Sequence, residues 1–173
     1  MRRLIGIALL MAGGRVLSAQ DTASMDHAHM DHAAHHRMMQ DSAFQALQAR
    51  GAVYMGVDQT ASAHRFDSLE DGGRIQLLSL TGDSADVARI RRHFQQIAAQ
   101  FRQGDFTTPF AVHAEAVPGT RVMQERRASI GYELIELPTG AALRLTTADS
   151  TALAAIHEFM AYQRREHHSP GQE

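Results

Sequence analysis

Between Met25 and Met39 the chain reads MDHAHMDHAAHHRMM. Five histidines (His27, His29, His32, His35, His36) and four methionines (Met25, Met30, Met38, Met39) fall within fifteen residues. No packed core asks for that composition. Imidazole nitrogen binds Cu(II), Zn(II) and Ni(II), while thioether sulfur is soft enough to favour Cu(I). A segment with both donors can hold copper in either oxidation state, with zinc as the alternative ion.

Six further histidines stand outside this segment: His64, His93, His113, His157, His167 and His168. Each has an ordinary structural role open to it. His113 falls in TPFAVHAEAV, which alternates like a strand and puts His113 and Glu115 on the face opposite Phe110, Val112 and Ala114. That pair suits a shared metal or an acid/base couple, and equally a solvent-facing surface. His157 lies at the rim of a helical apolar stripe, one turn from Met160. The two could share a copper ion, or be a boundary residue and a core residue. His93 has a similar rim position, and His64 opens a strand close to Met55, Asp58 and Gln59. His167 and His168 end the last helix, where imidazole suits the helix dipole. The sharpest expectation is that His64, His113 and His157 converge on one ion, with Met160 or Glu115 nearby.

The elements that would position these residues follow from periodicity. HRFDSL, EDGG and RIQLLSL (residues 64–80) read as strand, turn, strand. A helix capped by Asp83 or Ser84 comes next, with Val87, Ile90, Phe94, Ile97 and Phe101 as its stripe and Gly104 as its stop. ASIGYELIEL, PTG and AALRLTT (residues 128–147) repeat strand, turn, strand. A second helix starts at Asp149 or Ser150 with the stripe Leu153, Ile156 and Met160. At an offset of 66, Thr81, Asp83, Ser84, Ala88 and Ile90 match Thr147, Asp149, Ser150, Ala154 and Ile156. Duplication explains this, and so does the general liking of a β-to-α junction for Thr, Asp and Ser. The fold class expected is α+β: an antiparallel sheet with two helices on one face, in a possible ββα-ββα duplication. The segment TPFAVHAEAV and the Pro118-Gly119 turn would link the halves. Ahead of them, Asp41-Ser42 reads as the cap of a short helix that carries Phe44 and Leu47 and ends at Gly51.

Residues 1–19 have two arginines, an apolar run from Leu4 to Ala12 and a Val-Leu-Ser-Ala end. This fits a secretory signal, too short for a membrane span. The expected organisation is a signal at 1–19, a flexible His/Met-rich arm at 20–40 and one α+β domain at 41–170. The compartment is then periplasmic or extracellular. There is no cysteine, which excludes disulfides and thiolate metal sites. Arg2, Arg3 and Arg15 leave with the signal, so the mature chain has 14 arginines against 19 acids. Such an acidic balance argues against a nucleic-acid partner, and no later stretch suits stable membrane insertion. No lysine is present, which excludes Schiff-base chemistry. Neither a G-x-S-x-G elbow, a Walker A loop, G-x-G-x-x-G, H-E-x-x-H nor C-x-x-C-H occurs.

YMGVDQTASAHRF (54–66), DGGRIQL (71–77), IRRHFQQIAAQFRQGDFTTPFAVH (90–113), VPGTRVM (117–123) and AIHEFMAYQRREHH (155–168) together resemble a family of small exported bacterial proteins. The resemblance implies export and no particular activity. Some members bear an aspartate carbamoyltransferase label. This chain is far too short for that enzyme and lacks its Ser-Thr-Arg-Thr carbamoyl-phosphate loop. The arm is similar to the MDH-rich stretches of periplasmic copper-resistance proteins, which implies copper binding and nothing about fold. The expected function is therefore an exported metal-binding protein for copper homeostasis or tolerance, with metal ions and a periplasmic or membrane metal-transport protein as partners. The alternative is a small-ligand-binding or enzymatic domain with a histidine-lined pocket.

Overall fold

The computed structural model describes residues 32–169. The expected signal and residues 20–31 of the arm, with Met25, His27, His29 and Met30, lie outside the described residues. The chain runs α1 (His32–Met55), β1 (Ser62–Leu69), β2 (Gly72–Ser79), α2 (Ser84–Arg102), α3 (Thr107–His113), α4 (Thr120–Glu125), a 3-10 turn (Arg127–Ser129), β3 (Ile130–Leu137), β4 (Gly140–Thr147) and α5 (Ser150–Glu166).

Helix α1 corrects the sequence reading. The last part of the expected flexible arm, from His32 to Gln40, is helical and continuous with the short helix expected after Asp41. Ala33, Ala34, Arg37, Met38, Met39 and Gln40 are strong helix formers, and neither Gly nor Pro interrupts them. Polarity all round hid the helix, because no apolar stripe marks it. Ser42 does not cap a helix start. Its Oγ donates back to the Met38 carbonyl at 2.8 Å, one turn earlier. The stop is Gly56, whose φ of 64° needs a residue without a side chain.

Two hairpins form the sheet. Each has eight-residue strands closed by a two-residue turn, Glu70-Asp71 in one and Pro138-Thr139 in the other. They join through β2 and β4, giving the antiparallel order β1-β2-β4-β3. The first residues after each turn hold this seam. A Cβ on Gly72 would lie 2.0 Å from the Leu145 carbonyl oxygen, and one on Gly140 2.0 Å from that of Leu77. Gly72 and Leu77 thus match Gly140 and Leu145 in place as well as kind, at an offset of 68 rather than the 66 read from the helix caps.

One face of the sheet is core. Phe66, Ile75, Leu77, Leu143, Leu145 and Tyr132 pack there against Ile90, Phe94, Phe101, Ile156, Phe159 and Met160. Helix α2 lies across β3 and β4, while α5 lies across β1 and β2, so each helix covers the other half's hairpin. Both helices start as read from sequence: Asp83 and Asp149 each accept from two backbone amides of the first turn. On the other face, Arg74 and Arg144 stand directly opposite each other. Such a like-charged pair repels. Asp67, fully buried, answers it by accepting from Arg74 Nη2 at 2.6 Å and Arg65 Nε at 3.0 Å, and Asp71 pairs with Arg144.

The segment expected as a linking strand is a helix instead. In α3, Asp105 Oδ1 accepts from the Thr107 amide at 2.8 Å, and Pro109 sits in the first turn, where a missing N–H costs nothing. Ala114, at φ 59°, ends it. Pro109, Val112 and His113 are its buried residues. A short alternating run cannot by itself distinguish a strand from so short a helix.

Two kinds of substitution test this packing. Ile90→Ala and Ile156→Ala each remove a fully buried side chain and should cost roughly 2–5 kcal/mol in urea unfolding. Gly140→Ala adds an atom and should still destabilise, because its Cβ has no room at the seam.

Candidate functional site: a histidine-lined cavity

Four histidines from four elements meet at one end of the core. They line a cavity of about 60 Å³ together with Met55 from α1 and Gln163 from α5. The floor is apolar, including Phe66, Ile75, Phe94, Ile97, Phe101 and Phe159. No Asp or Glu is among the lining residues.

Each side chain is placed by its element. His64 shares the core face of β1 with Phe66, and the two rings stack at 5.8 Å. His167 follows the last turn of α5. Arg164 pins that end to the edge strand, donating to the Phe66 carbonyl at 3.1 Å, and His167 comes to rest 4.8 Å from the His64 ring. The left-handed backbone of His168, φ 48°, turns the chain there. His168 instead stacks on Phe44 of α1 at 4.4 Å. His113, the last residue of α3, lies 5.2 Å from His167. Its Nε2 donates to Gln163 Oε1 at 3.0 Å, which leaves the Nδ1 lone pair free. His93, buried on α2, closes the fourth side. Arg50 of α1 donates to the Val112 carbonyl at 2.6 Å and so holds α1, with Met55, against the end of α3.

Desolvation makes these imidazoles neutral. Burial pushes His64 down to about 4, with His93 and His113 adding to the effect. It also takes His93 to about 4. His167 falls to about 2, again from burial first and then from His64, His113 and His168. His113 is lowered by burial despite its bond to Gln163 and the nearby Glu166 and Glu115. A neutral imidazole has a free lone pair, which is the ligand form. A group with so low a pKa is a weak general base near neutral pH. A cavity of about 60 Å³ is also small beside the ~300–1,000 Å³ typical of organic-ligand pockets. It suits an ion or a few waters.

Two ring spacings can be compared with those of imidazoles around an ion. A nitrogen ~2.0–2.1 Å from a metal puts its ring centre roughly 3.1 Å away, so two tetrahedrally disposed imidazoles have centres about 5.1 Å apart. The observed 4.8 and 5.2 Å bracket that value. Ring orientation does not match it yet. Among the described residues, no group of three or more His, Cys, Asp or Glu side chains could hold a metal ion as placed.

The expected trio is therefore brought together only in part. His64 and His113 share the cavity, whereas His157 does not. Its Nε2 lies 2.9 Å from the Leu69 carbonyl and 3.1 Å from that of Gly72, and donates at the β1–β2 turn. Leu69 is five residues along β1 from His64, on the order of 16 Å away. Met160 is no partner for it, being fully buried where its methyl group packs on Gly73. Glu115 accepts from Tyr162. His93 and His167 take the places expected for His157 and Met160. Their rim and helix-end positions were visible in sequence, but their convergence was not.

On the outer side of His113 lies a wider cleft of about 580 Å³ between α1 and α5, lined by Gln40, Phe44, Arg50, Tyr162, Arg165, Glu166 and His168 among others. His113 belongs to the walls of both spaces. Met38 and Met39, immediately before Gln40, are each 57% exposed. Among the described residues no helix is long and apolar enough to cross a membrane. No protein-family model, curated protein or solved structure matches the chain.

The buried imidazoles give the metal-free protein a distinctive pH profile. Above about pH 6.5 folded and unfolded histidines are both neutral and stability is flat. Between about 6.5 and about 4 the unfolded chain takes up protons that His64 and His93 refuse when folded. Stability should therefore fall as pH falls, by up to about 1.4 kcal/mol per unit for each histidine. Asp58, Asp105 and Asp149, all lowered from 3.8, act below this window. Denaturant unfolding between pH 7.5 and 4.5 checks the slope, and a flat profile would show the rings to be solvated.

Proposed function

We propose that this chain is an exported metal-binding protein that handles copper in homeostasis or tolerance. The observation that carries the reading is one of placement. Helix α1 runs from the His/Met-rich segment to Met55 at a cavity lined by four neutral histidines. Positions 32, 35, 36 and 39 fall at i, i+3, i+4 and i+7 of α1, a spacing that puts them on one side of the helix. The cavity size favours an ion over an organic substrate. The wider cleft beside His113, with Arg50, Tyr162 and Arg165, gives the alternative of a small-ligand pocket its best location. A metal-transport protein remains the partner expected for a chain of this kind.

Two measurements test the reading. The full chain should compete with a chromophoric chelator for Cu(I) and for Cu(II), and uptake of neither ion would sink the proposal. The His-rich segment should release Cu(II) steeply between about pH 7 and about pH 5, because free imidazole protonates near about 6.5. Cu(I) held by Met38, Met39 and the other thioethers should be lost less steeply, since methionine does not titrate.

A further inference from the structure

We infer that the cavity formed by His64, His93, His113, His167 and Met55 is a site for a monovalent soft cation, Cu(I), and discriminates against Zn(II) and Cu(II). This rests on the metal-binding reading and deepens it by assigning oxidation states to two different places in the chain.

The argument begins with charge. Every side-chain donor around the cavity is neutral: four imidazoles, the Met55 thioether, the Gln163 amide and the Thr108 hydroxyl. No carboxylate is among the lining residues to offset a dication. The desolvation cost of an ion scales with the square of its charge, so a divalent ion loses about four times as much as a monovalent one on entering the same apolar surroundings. Zn(II) in an uncharged ligand set also keeps water as a further ligand in open sites. Here most of the remaining lining is apolar, including Phe66, Phe94, Phe101 and Phe159, which leaves such a water few groups to donate to.

Donor type and number point the same way. Met55 is half-buried at the rim and brings the one sulfur among the lining residues, a donor that favours Cu(I) over harder ions. His64, His167 and His113 form a row with ring centres 4.8 and 5.2 Å apart. Cu(I) accepts low coordination numbers and so needs fewer rings to turn inward than a tetrahedral Zn(II) ion does. Gln163, bonded to His113 Nε2, fixes which nitrogen of that ring remains free. The His/Met segment ahead of the cavity is built otherwise. Met38 and Met39 are open to water, where hydration offsets charge and a divalent ion is admissible.

The experiment uses the full chain, Cu(I) under anaerobic reducing conditions, and Zn(II) or Cu(II) in parallel, each competed against a chromophoric chelator. In His64→Gln, one tight Cu(I) equivalent should disappear while the Zn(II) and Cu(II) equivalents stay the same. Because His64 packs on Phe66 and could be needed for folding, Met55→Leu gives a second test at the rim. It should weaken that Cu(I) equivalent roughly tenfold, leave Zn(II) uptake unchanged and leave the metal-free thermal midpoint within error. Loss of a Zn(II) or Cu(II) equivalent alongside Cu(I) would overturn the selectivity and leave the metal-binding reading intact. Unchanged Cu(I) uptake in both variants would overturn the cavity as a site. Uptake of no ion by the unsubstituted chain would overturn the broader reading.

Discussion

The seam between β2 and β4 is the constraint on which the rest depends. Two hairpins, each covered by the other's helix, can share a core only if their inner strands pair along their length. Gly72 and Gly140 make that possible, since any side chain there would meet a carbonyl oxygen of the neighbouring strand. The pairing fixes β1 as an edge strand. It therefore leaves the Phe66 carbonyl free for Arg164, which sets the end of α5 over His64. The histidine cavity is thus a consequence of sheet order, and a register slip at the seam would separate His64 from His167.

The two faces of the sheet solve their electrostatic problems differently. On the solvent side, the opposed Arg74 and Arg144 are answered by carboxylates, and Asp67 is buried because two guanidiniums enclose it. Removing one member of such a set leaves an uncompensated charge. On the core side the histidines are kept neutral rather than paired. Burial is the largest cause for each of His64, His93, His113 and His167. The protein thereby stores four lone-pair donors in an apolar space. That arrangement costs stability in acid and is hard to explain by packing alone, since Phe or Leu would fill the same volume without the polar atoms.

Helix α1 relates the two histidine-rich parts of the chain. Its exposure on most sides explains why it shows no amphipathic pattern. It is attached to the domain through Arg50 at the end of α3, the buried Leu47, Met55 against the core, and Phe44 against His168. It borders both the small cavity and the wide cleft.

The local pattern by itself determined a great deal. Both hairpins, the Asp83 and Asp149 caps, the stripe from Val87 to Phe101 and the α+β class were legible, because period-2 and period-3.6 burial and cap chemistry act over a few residues. So was the unusual donor content of the His/Met segment. What is local but weakly encoded was misread. A polar helix through His32–Gln40 has no stripe to show, and TPFAVHAEAV alternates whether it is a strand or a helix of seven residues. The site belongs to tertiary structure. His64, His93, His113 and His167 are far apart in the chain, and nothing near any one of them distinguishes it from His157. The separation comes from strand order, from the crossing of α5 over β1, and from which carbonyls are left unpaired at a turn. Those are long-range packing decisions, made by the whole core at once, and no window of sequence contains them.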